Sequence, residues 1–67
     1  MIMKLRSKID GKKYDCFVQS VDLNMNGRWV LRYAIGIMGR EGHLSCLREC
    51  IYNNDEFNRK YEVINAG

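Results

Sequence analysis

The first nine residues alternate between two kinds of side chain, and this alternation constrains the fold more than any other feature. One parity is mainly apolar and the other is cationic, with Met3, Leu5, Ser7 and Ile9 against Lys4, Arg6 and Lys8. An Asp10-Gly11 dipeptide follows, and period-two alternation that leads into Asp-Gly is the strongest short-range signal for a β-hairpin. The pattern therefore predicts an opening hairpin whose first strand covers residues 2–9 and carries a cationic row on one face.

The length of the turn determines which residues of this hairpin face each other. A two-residue loop at Asp10-Gly11 sets Leu5 opposite Cys16 and Arg6 opposite Asp15. Opposite charges that face each other across two antiparallel strands stabilise the pair. We therefore predict an Arg6–Asp15 ion pair in the first hairpin.

Length and composition indicate one small globular domain over residues 1–67. Hydrophobic residues make up 46% of the chain and charged residues 28%, which is ordinary for a folded domain. A chain this short buries only about 60% of its unfolded surface, so its core is small. No apolar run approaches 18 residues, and basic residues interrupt the N-terminal segment. We therefore expect a cytoplasmic protein without a membrane partner.

The second turn falls at residues 24–27, where Asn and Gly cluster. A three-residue loop over residues 25–27 is preferred to a two-residue loop, because it puts Gly27 where a left-handed residue is needed. It also sets Val21 opposite Leu31. This register turns the odd-numbered apolar residues of the second strand toward the core, whereas the first hairpin turns the even-numbered ones there. We therefore predict a bulge or sharp bend near Gln19-Ser20 and a strongly curved sheet.

The second half of the chain contains one clear strand and two ambiguous segments. Residues 28–38 are the most apolar and predict a central strand, whereas residues 43–52 fit a strand or a helix, with strand favoured by the β-formers at their end. Asn53 followed by Glu56 is typical of a helix N-cap. Residues 54–65 then fit either a helix or one helical turn with a final strand.

Together these elements predict a mainly-β protein. The preferred arrangement is a curved four-stranded antiparallel meander with a short C-terminal helix. The alternative has four strands, a helical turn and a fifth strand, and its element order resembles that of SH3-like small barrels. The resemblance is one of topology.

The cysteines and the histidine form one pattern that metal sites use. His43, Cys46 and Cys50 have the spacing H-x2-C-x3-C, and Cys16 is available as a fourth ligand. Zinc accepts a Cys3His tetrahedron, so a zinc-stabilised module is a minor alternative. The chain lacks the C-x2-C pair that is usual in such sites. We therefore predict free thiols, with no metal and no cofactor.

The sequence contains no recognisable catalytic motif. His43 is the only histidine, and no nucleophile elbow, glycine-rich phosphate loop or facing pair of carboxylates accompanies it. We therefore predict that the protein is not an enzyme.

Basic and aromatic residues together suggest a binding surface. The predicted basic set is Lys4, Arg6, Lys8, Lys12, Lys13, Arg28 and Arg32. The predicted aromatic and apolar set is Tyr14, Phe17, Trp29 and Tyr33. Small β modules bind single-stranded nucleic acid with such residues, and this is the alternative function. It ranks second because the pI of 8.9 is modest for a nucleic-acid-binding domain, and because exposed edge strands also carry lysine to prevent aggregation.

Protein–protein interaction ranks first. Both predicted sheet faces carry apolar residues, and the surplus includes Ile2, Phe17, Met25 and Met38. Exposed apolar surface marks an interface. The predicted protein is therefore a binding module, either an adaptor or a small phage-type inhibitor or regulator of a larger machine, whose partner can present an acidic surface. A homodimer is a special case, in which the basic hairpin meets the acidic C-terminal helix of a second copy.

Overall fold

The computed structural model describes residues 2–22 and 27–65 and has the predicted mainly-β fold. Its elements in chain order are β1 (Ile2–Ser7), β2 (Lys13–Asp22), β3 (Trp29–Met38), β4 (Leu44–Ile51), α1 (Asn54–Lys60) and β5 (Tyr61–Asn65). The five strands form one antiparallel sheet in the order β4-β3-β2-β1-β5. The antiparallel meander, the short helix and the strand over residues 43–52 are confirmed. The sheet has five strands rather than four, so the element order is that of the alternative prediction.

The helix is short because a side-chain cap fixes its start and a strand begins directly after it. The side chain of Asn53 accepts hydrogen bonds from the backbone N–H groups of Asp55 and Glu56 at 2.8 and 3.2 Å, which confirms the predicted N-cap. The chain becomes extended again at Tyr61, with φ −136° and ψ 154°. Tyr61 pairs with Ser7, so β5 lies beside β1 at one edge of the sheet.

The first hairpin has a longer loop than predicted. β1 ends at Ser7, whose hydroxyl accepts from the N–H groups of Ile9 and Asp10 at 3.2 and 3.4 Å. The Asp10 carboxylate accepts from the N–H of Lys12 at 2.9 Å, and Gly11 has a φ of 72°. These side-chain bonds stabilise a four-residue loop over residues 8–11.

The longer loop shifts the register of the first hairpin by two residues. Lys4 now faces Asp15, so the predicted Arg6–Asp15 pair is wrong. A shift of two preserves the side of the sheet to which each residue points. Leu5 and Cys16 therefore share a buried face, as predicted, and neither has any exposed surface.

The second hairpin differs from the prediction by one residue. Val21 pairs with Val30 rather than with Leu31, and the described β2–β3 pairs continue without a shift from Asp15 to Asp22. The predicted bulge near Gln19-Ser20 is therefore wrong. In the observed register the even-numbered residues of β2 and the odd-numbered residues of β3 share one face, so both hairpins contribute to one core. Residues 23–26 of the turn, including Met25, lie outside the described part of the chain, but Gly27 has the predicted left-handed φ of 81°.

The irregularities of the sheet lie elsewhere. The register of β3 against β4 shifts between Ile35 and Gly36 and again near Met38. A Cβ atom at Gly36 would lie 2.0 Å from the carbonyl oxygen of Cys46, so only glycine permits this approach. Bulges bend a strand and change the direction of its side chains.

The core lies between the sheet and α1. We call the side of the sheet that carries α1 the helix face and the opposite side the open face. The buried cluster on the helix face consists of Met3, Leu5, Cys16, Ile35, Ile51, Phe57 and Tyr61. Phe57 is the buried residue of α1, and its ring stacks on Tyr33 with the two centroids 4.1 Å apart.

Candidate functional site

Most of the cationic row of the first strand is paired within the molecule. Lys4 Nζ lies 2.5 Å from Oδ1 of Asp15, and Arg6 Nη1 lies 3.5 Å from Oε1 of Glu62. Lys8 follows the end of β1, and its ammonium donates to a backbone carbonyl of α1 at 2.6 Å. The row therefore contributes less free positive charge than its sequence suggests.

The other predicted basic residues are spread along the sheet. Lys12 and Lys13 are exposed before and at the start of β2, and Arg28 is exposed just before β3. Arg32 faces Gln19, and the six residue steps from Lys13 to Gln19 correspond to about 20 Å of strand. The Nε atom of Arg32 is buried without a hydrogen-bond partner among the described residues. The structure does not gather these cations into one groove.

The predicted aromatic residues also divide between different surroundings. Tyr33 is stacked on the buried aromatic ring of α1, and Tyr14 lies under the guanidinium of Arg48, 4.6 Å from the ring centroid. Phe17 is half-buried on the open face. Trp29 is 64% exposed and shares the helix face with Tyr33. The freely exposed ring of this set therefore lies on the opposite side of the sheet from the cationic row.

An apolar groove crosses the part of the helix face that α1 does not cover. The ten residues of β2 or β3 extend about 33 Å, whereas the seven residues of α1 extend only about 10 Å. The groove has a volume of about 290 Å³. Its lining consists of Met3, Val18, Leu31, Tyr33, Asn54, Phe57, Asn58 and Val63. Leu31 and Val63 are 42% and 46% exposed, and Trp29 is the next residue on the same face of β3.

A polar clamp closes the other end of the helix face. We use this name for Tyr14, Arg48, Glu49, Lys60 and Tyr61. Arg48 donates to the hydroxyl of Tyr14 at 2.6 Å and to that of Tyr61 at 3.2 Å. The Tyr61 hydroxyl donates to Glu49, which also accepts from Lys60 at 3.2 Å. The clamp connects β4 and β5, the two edge strands, through hydrogen bonds between side chains.

The pKa shifts of Glu49 and Tyr61 favour the protonation states that these groups have near neutral pH. Burial and the hydrogen bond to Glu49 raise the pKa of Tyr61 to about 12, so the phenol remains a donor near neutral pH. The hydrogen bond from Tyr61 and the nearby Lys60 lower the pKa of Glu49. Each group has partners within the clamp, which is typical of a structural network rather than a reactive centre. Sequence reasoning missed the clamp because a bulge turns Arg48 and Glu49, which are neighbours in the chain, toward the same hydroxyl.

The thiols and the histidine lie apart. Cys16 is fully buried, and burial raises the pKa of its thiol to about 11. Cys46 is exposed, Cys50 is half-buried, and His43 is exposed with Nε2 3.8 Å from Glu41. Within residues 2–22 and 27–65, no three His, Cys, Asp or Glu side chains are grouped to hold a metal ion. The zinc alternative therefore has no support from this arrangement.

A second cavity, the open-face cleft, has a volume of about 550 Å³. Its lining consists of Ile2, Met3, Lys4, Asp15, Met38, Gly42 and Asn65. Asp15 is buried and accepts from Lys4 and from the backbone N–H of Met38, the latter at 2.8 Å. The hydrogen bond from Lys4 is the main cause that lowers the pKa of Asp15.

Comparison with protein families, curated proteins and solved structures found no match to this chain. In the described part of the chain, no helix is long and apolar enough to cross a membrane.

Proposed function

We propose that this chain is a non-enzymatic binding module that docks onto another protein through the apolar groove. The observation that carries the proposal is the exposure of Trp29, Leu31 and Val63 where α1 leaves the helix face uncovered. Full burial of a large apolar side chain contributes about 1.5–3 kcal/mol. Tryptophan is also among the residue types enriched at the interface positions that dominate binding energy.

The groove favours an apolar polypeptide segment as its occupant. Its walls are mainly hydrocarbon, but two side-chain amides on α1, those of Asn54 and Asn58, also line it. The side-chain oxygen of Asn54 accepts from the Tyr33 hydroxyl at 2.6 Å, which fixes that amide and leaves its NH2 group as a donor. A backbone carbonyl of a bound segment is a suitable acceptor. An adaptor or a small inhibitor of a larger machine would use such a surface.

Nucleic acid fits the same surface less well. Stacking modules combine exposed aromatic rings with cations along one groove. Here Trp29 lies on the helix face, whereas Lys4, Arg6 and Arg32 lie on the open face, and two of these three cations are paired with acids. The observed division of rings and charges therefore favours a protein partner.

Affinity capture from the native host tests the proposal. The bait proteins are the wild type, a Trp29→Ser/Leu31→Ser variant and an Ile9→Ser control, each with and without nuclease. Ile9 is 75% exposed in the first loop and is absent from the groove lining, so it controls for the loss of an exposed apolar side chain elsewhere. We expect one protein that survives nuclease, is retained by the control and is lost with the groove variant.

Two outcomes would contradict the proposal. Loss of every captured protein after nuclease treatment would favour the nucleic-acid hypothesis. Equal capture by the groove variant and the wild type would exclude the groove as the docking surface.

Sedimentation of the purified chain distinguishes a second copy from a foreign partner, since a dimer through the groove would dissociate in the Trp29→Ser/Leu31→Ser variant.

A further inference from the structure

We propose that the open-face cleft binds a carboxylate with a short apolar tail, and that Lys4 holds the carboxylate. The cleft lies on the other side of the sheet from the apolar groove, so this inference does not rest on the proposed function. The sequence assigns Lys4 only to a general basic surface, whereas the structure places it in the wall of a defined cavity.

Lys4 is held in position by a buried acid. Its ammonium lies 2.5 Å from one carboxylate oxygen of Asp15, and the other oxygen accepts from the N–H of Met38 at 2.8 Å. An ammonium has three N–H donors, so two remain after the bond to Asp15. Asp15 is thus engaged by Lys4 and by the backbone of Met38, and the Lys4 ammonium retains donors for a ligand.

The rest of the cleft is suited to a hydrocarbon tail. Ile2 and Met38 provide apolar surface, and Gly42 contributes backbone without a side chain. A volume of about 550 Å³ is within the range of small-molecule sites, which is roughly 300–1,000 Å³. Methionine side chains adapt readily to the shape of a ligand.

A second cation lies near the cleft. Arg6 is the next residue on the same face of β1, about 7 Å along the strand from Lys4. Its ion pair with Glu62, at 3.5 Å, joins two half-exposed side chains and is therefore weak. The whole chain has a net charge of +3. A ligand carboxylate would meet Lys4 first and has a second cation within reach.

Two-dimensional ¹H–¹⁵N NMR titration at constant ionic strength tests the inference, with hexanoate as the probe. We expect saturable shifts at the amides of Ile2, Lys4, Met38 and Gly42. Acetate keeps the charge without the tail and hexanol keeps the tail without the charge, so each should bind about tenfold more weakly. Failure of hexanoate to saturate, or equal binding of hexanol, would overturn the inference.

Three variants localise the site. Lys4→Gln should weaken hexanoate binding about tenfold. Met38→Ala shortens an apolar wall but keeps the backbone bond to Asp15, so it should weaken binding severalfold even if Lys4→Gln fails to fold. Lys13→Gln removes the same charge from the same face outside the cleft lining and should leave binding unchanged. Equal loss in Lys4→Gln and Lys13→Gln would show only general attraction and would refute the site.

The source of the carboxylate is decided by comparing two further probes. A short peptide that ends in leucine with a free carboxylate represents a chain terminus, and its C-terminal amide is the matched control. Tighter binding of the free peptide than of hexanoate assigns the cleft to a protein terminus. Tighter binding of octanoate than of either assigns it to an aliphatic acid.

Discussion

The two ends of the helix face differ in whether their side chains have partners within the molecule. At the end where β5 begins, the polar clamp satisfies its side chains with one another and joins the two edge strands. At the end where β3 begins, beside the apolar groove, Trp29 is 64% and Leu31 is 42% exposed. The helix connects the two regions, since Asn54 lines the groove and Lys60 belongs to the clamp. The contrast indicates that the clamp stabilises the folded chain, whereas the exposed side chains of Trp29 and Leu31 beside the core contribute little to folding.

The largest expected effect comes from Gly36, which permits the bulge that carries the clamp residues of β4. A methyl group at this position would lie 2.0 Å from the carbonyl oxygen of Cys46. Gly36→Ala should therefore destabilise the fold by about 3 kcal/mol, measured by urea denaturation. The matched control is Gly42→Ala, which has a φ of 81° and open space around the added methyl group, and should lose only about 1 kcal/mol. Equal losses would show that the close approach is unimportant.

A smaller effect is expected from the clamp hydroxyl. Tyr61→Phe keeps the buried ring but removes the donor to Glu49 and the acceptor for Arg48. Because both partners are half-exposed and can bind water, the loss should be about 1–2 kcal/mol in urea denaturation. Tyr52→Phe, at an exposed tyrosine outside the clamp, serves as the control and should change little. An unchanged midpoint for Tyr61→Phe would mean that the clamp does not stabilise the chain.

The clamp should also make stability depend on pH. The pKa of Glu49 is lower in the folded protein than its usual value of 4.5, chiefly because of the Tyr61 hydroxyl. Its contribution is therefore complete above that value and is lost as the pH falls through the folded pKa. Thermal denaturation between pH 7 and pH 3 should show a smaller loss of stability in Glu49→Gln than in the wild type. Glu41→Gln, at an exposed position, is the control. If stability changes with pH equally in Glu41→Gln and Glu49→Gln, the clamp is not the cause of the pH dependence.

The smallest effect on folding is expected at the groove. Trp29 is 64% exposed, so Trp29→Ser should change the free energy of unfolding by no more than about 0.5 kcal/mol. The same variant should lose the captured partner. A large loss of stability in urea would show that Trp29 belongs to the core, and the contrast between clamp and groove would then fail.

Local patterns accounted for much of the fold. Alternation identified the opening strand, and the Asn53 signal identified the start of the helix. The same patterns did not determine pairing. The first loop is two residues longer than predicted because the side chains of Ser7 and Asp10 accept hydrogen bonds from the loop backbone. The fifth strand pairs with the first across more than fifty residues of sequence.

The candidate sites were harder to predict than the fold. The sequence predicted Lys4, Arg6 and Trp29 as binding residues but did not show the surfaces on which they lie. The register of the first hairpin places Lys4 beside Asp15 and in the wall of the open-face cleft. Trp29 is exposed because α1 is too short to cover it. Neither property is present in the spacing of residues along the chain.

The sequence by itself determined where extended backbone begins the fold, where the helix starts and which parity of β1 and β3 is apolar, because these preferences act over a few neighbouring residues. The tertiary structure decided the registers, the position of the fifth strand and the joining of Arg48 and Glu49 at one hydroxyl. Those choices depend on contacts between distant segments, whose small differences in free energy appear only when the whole sheet has formed.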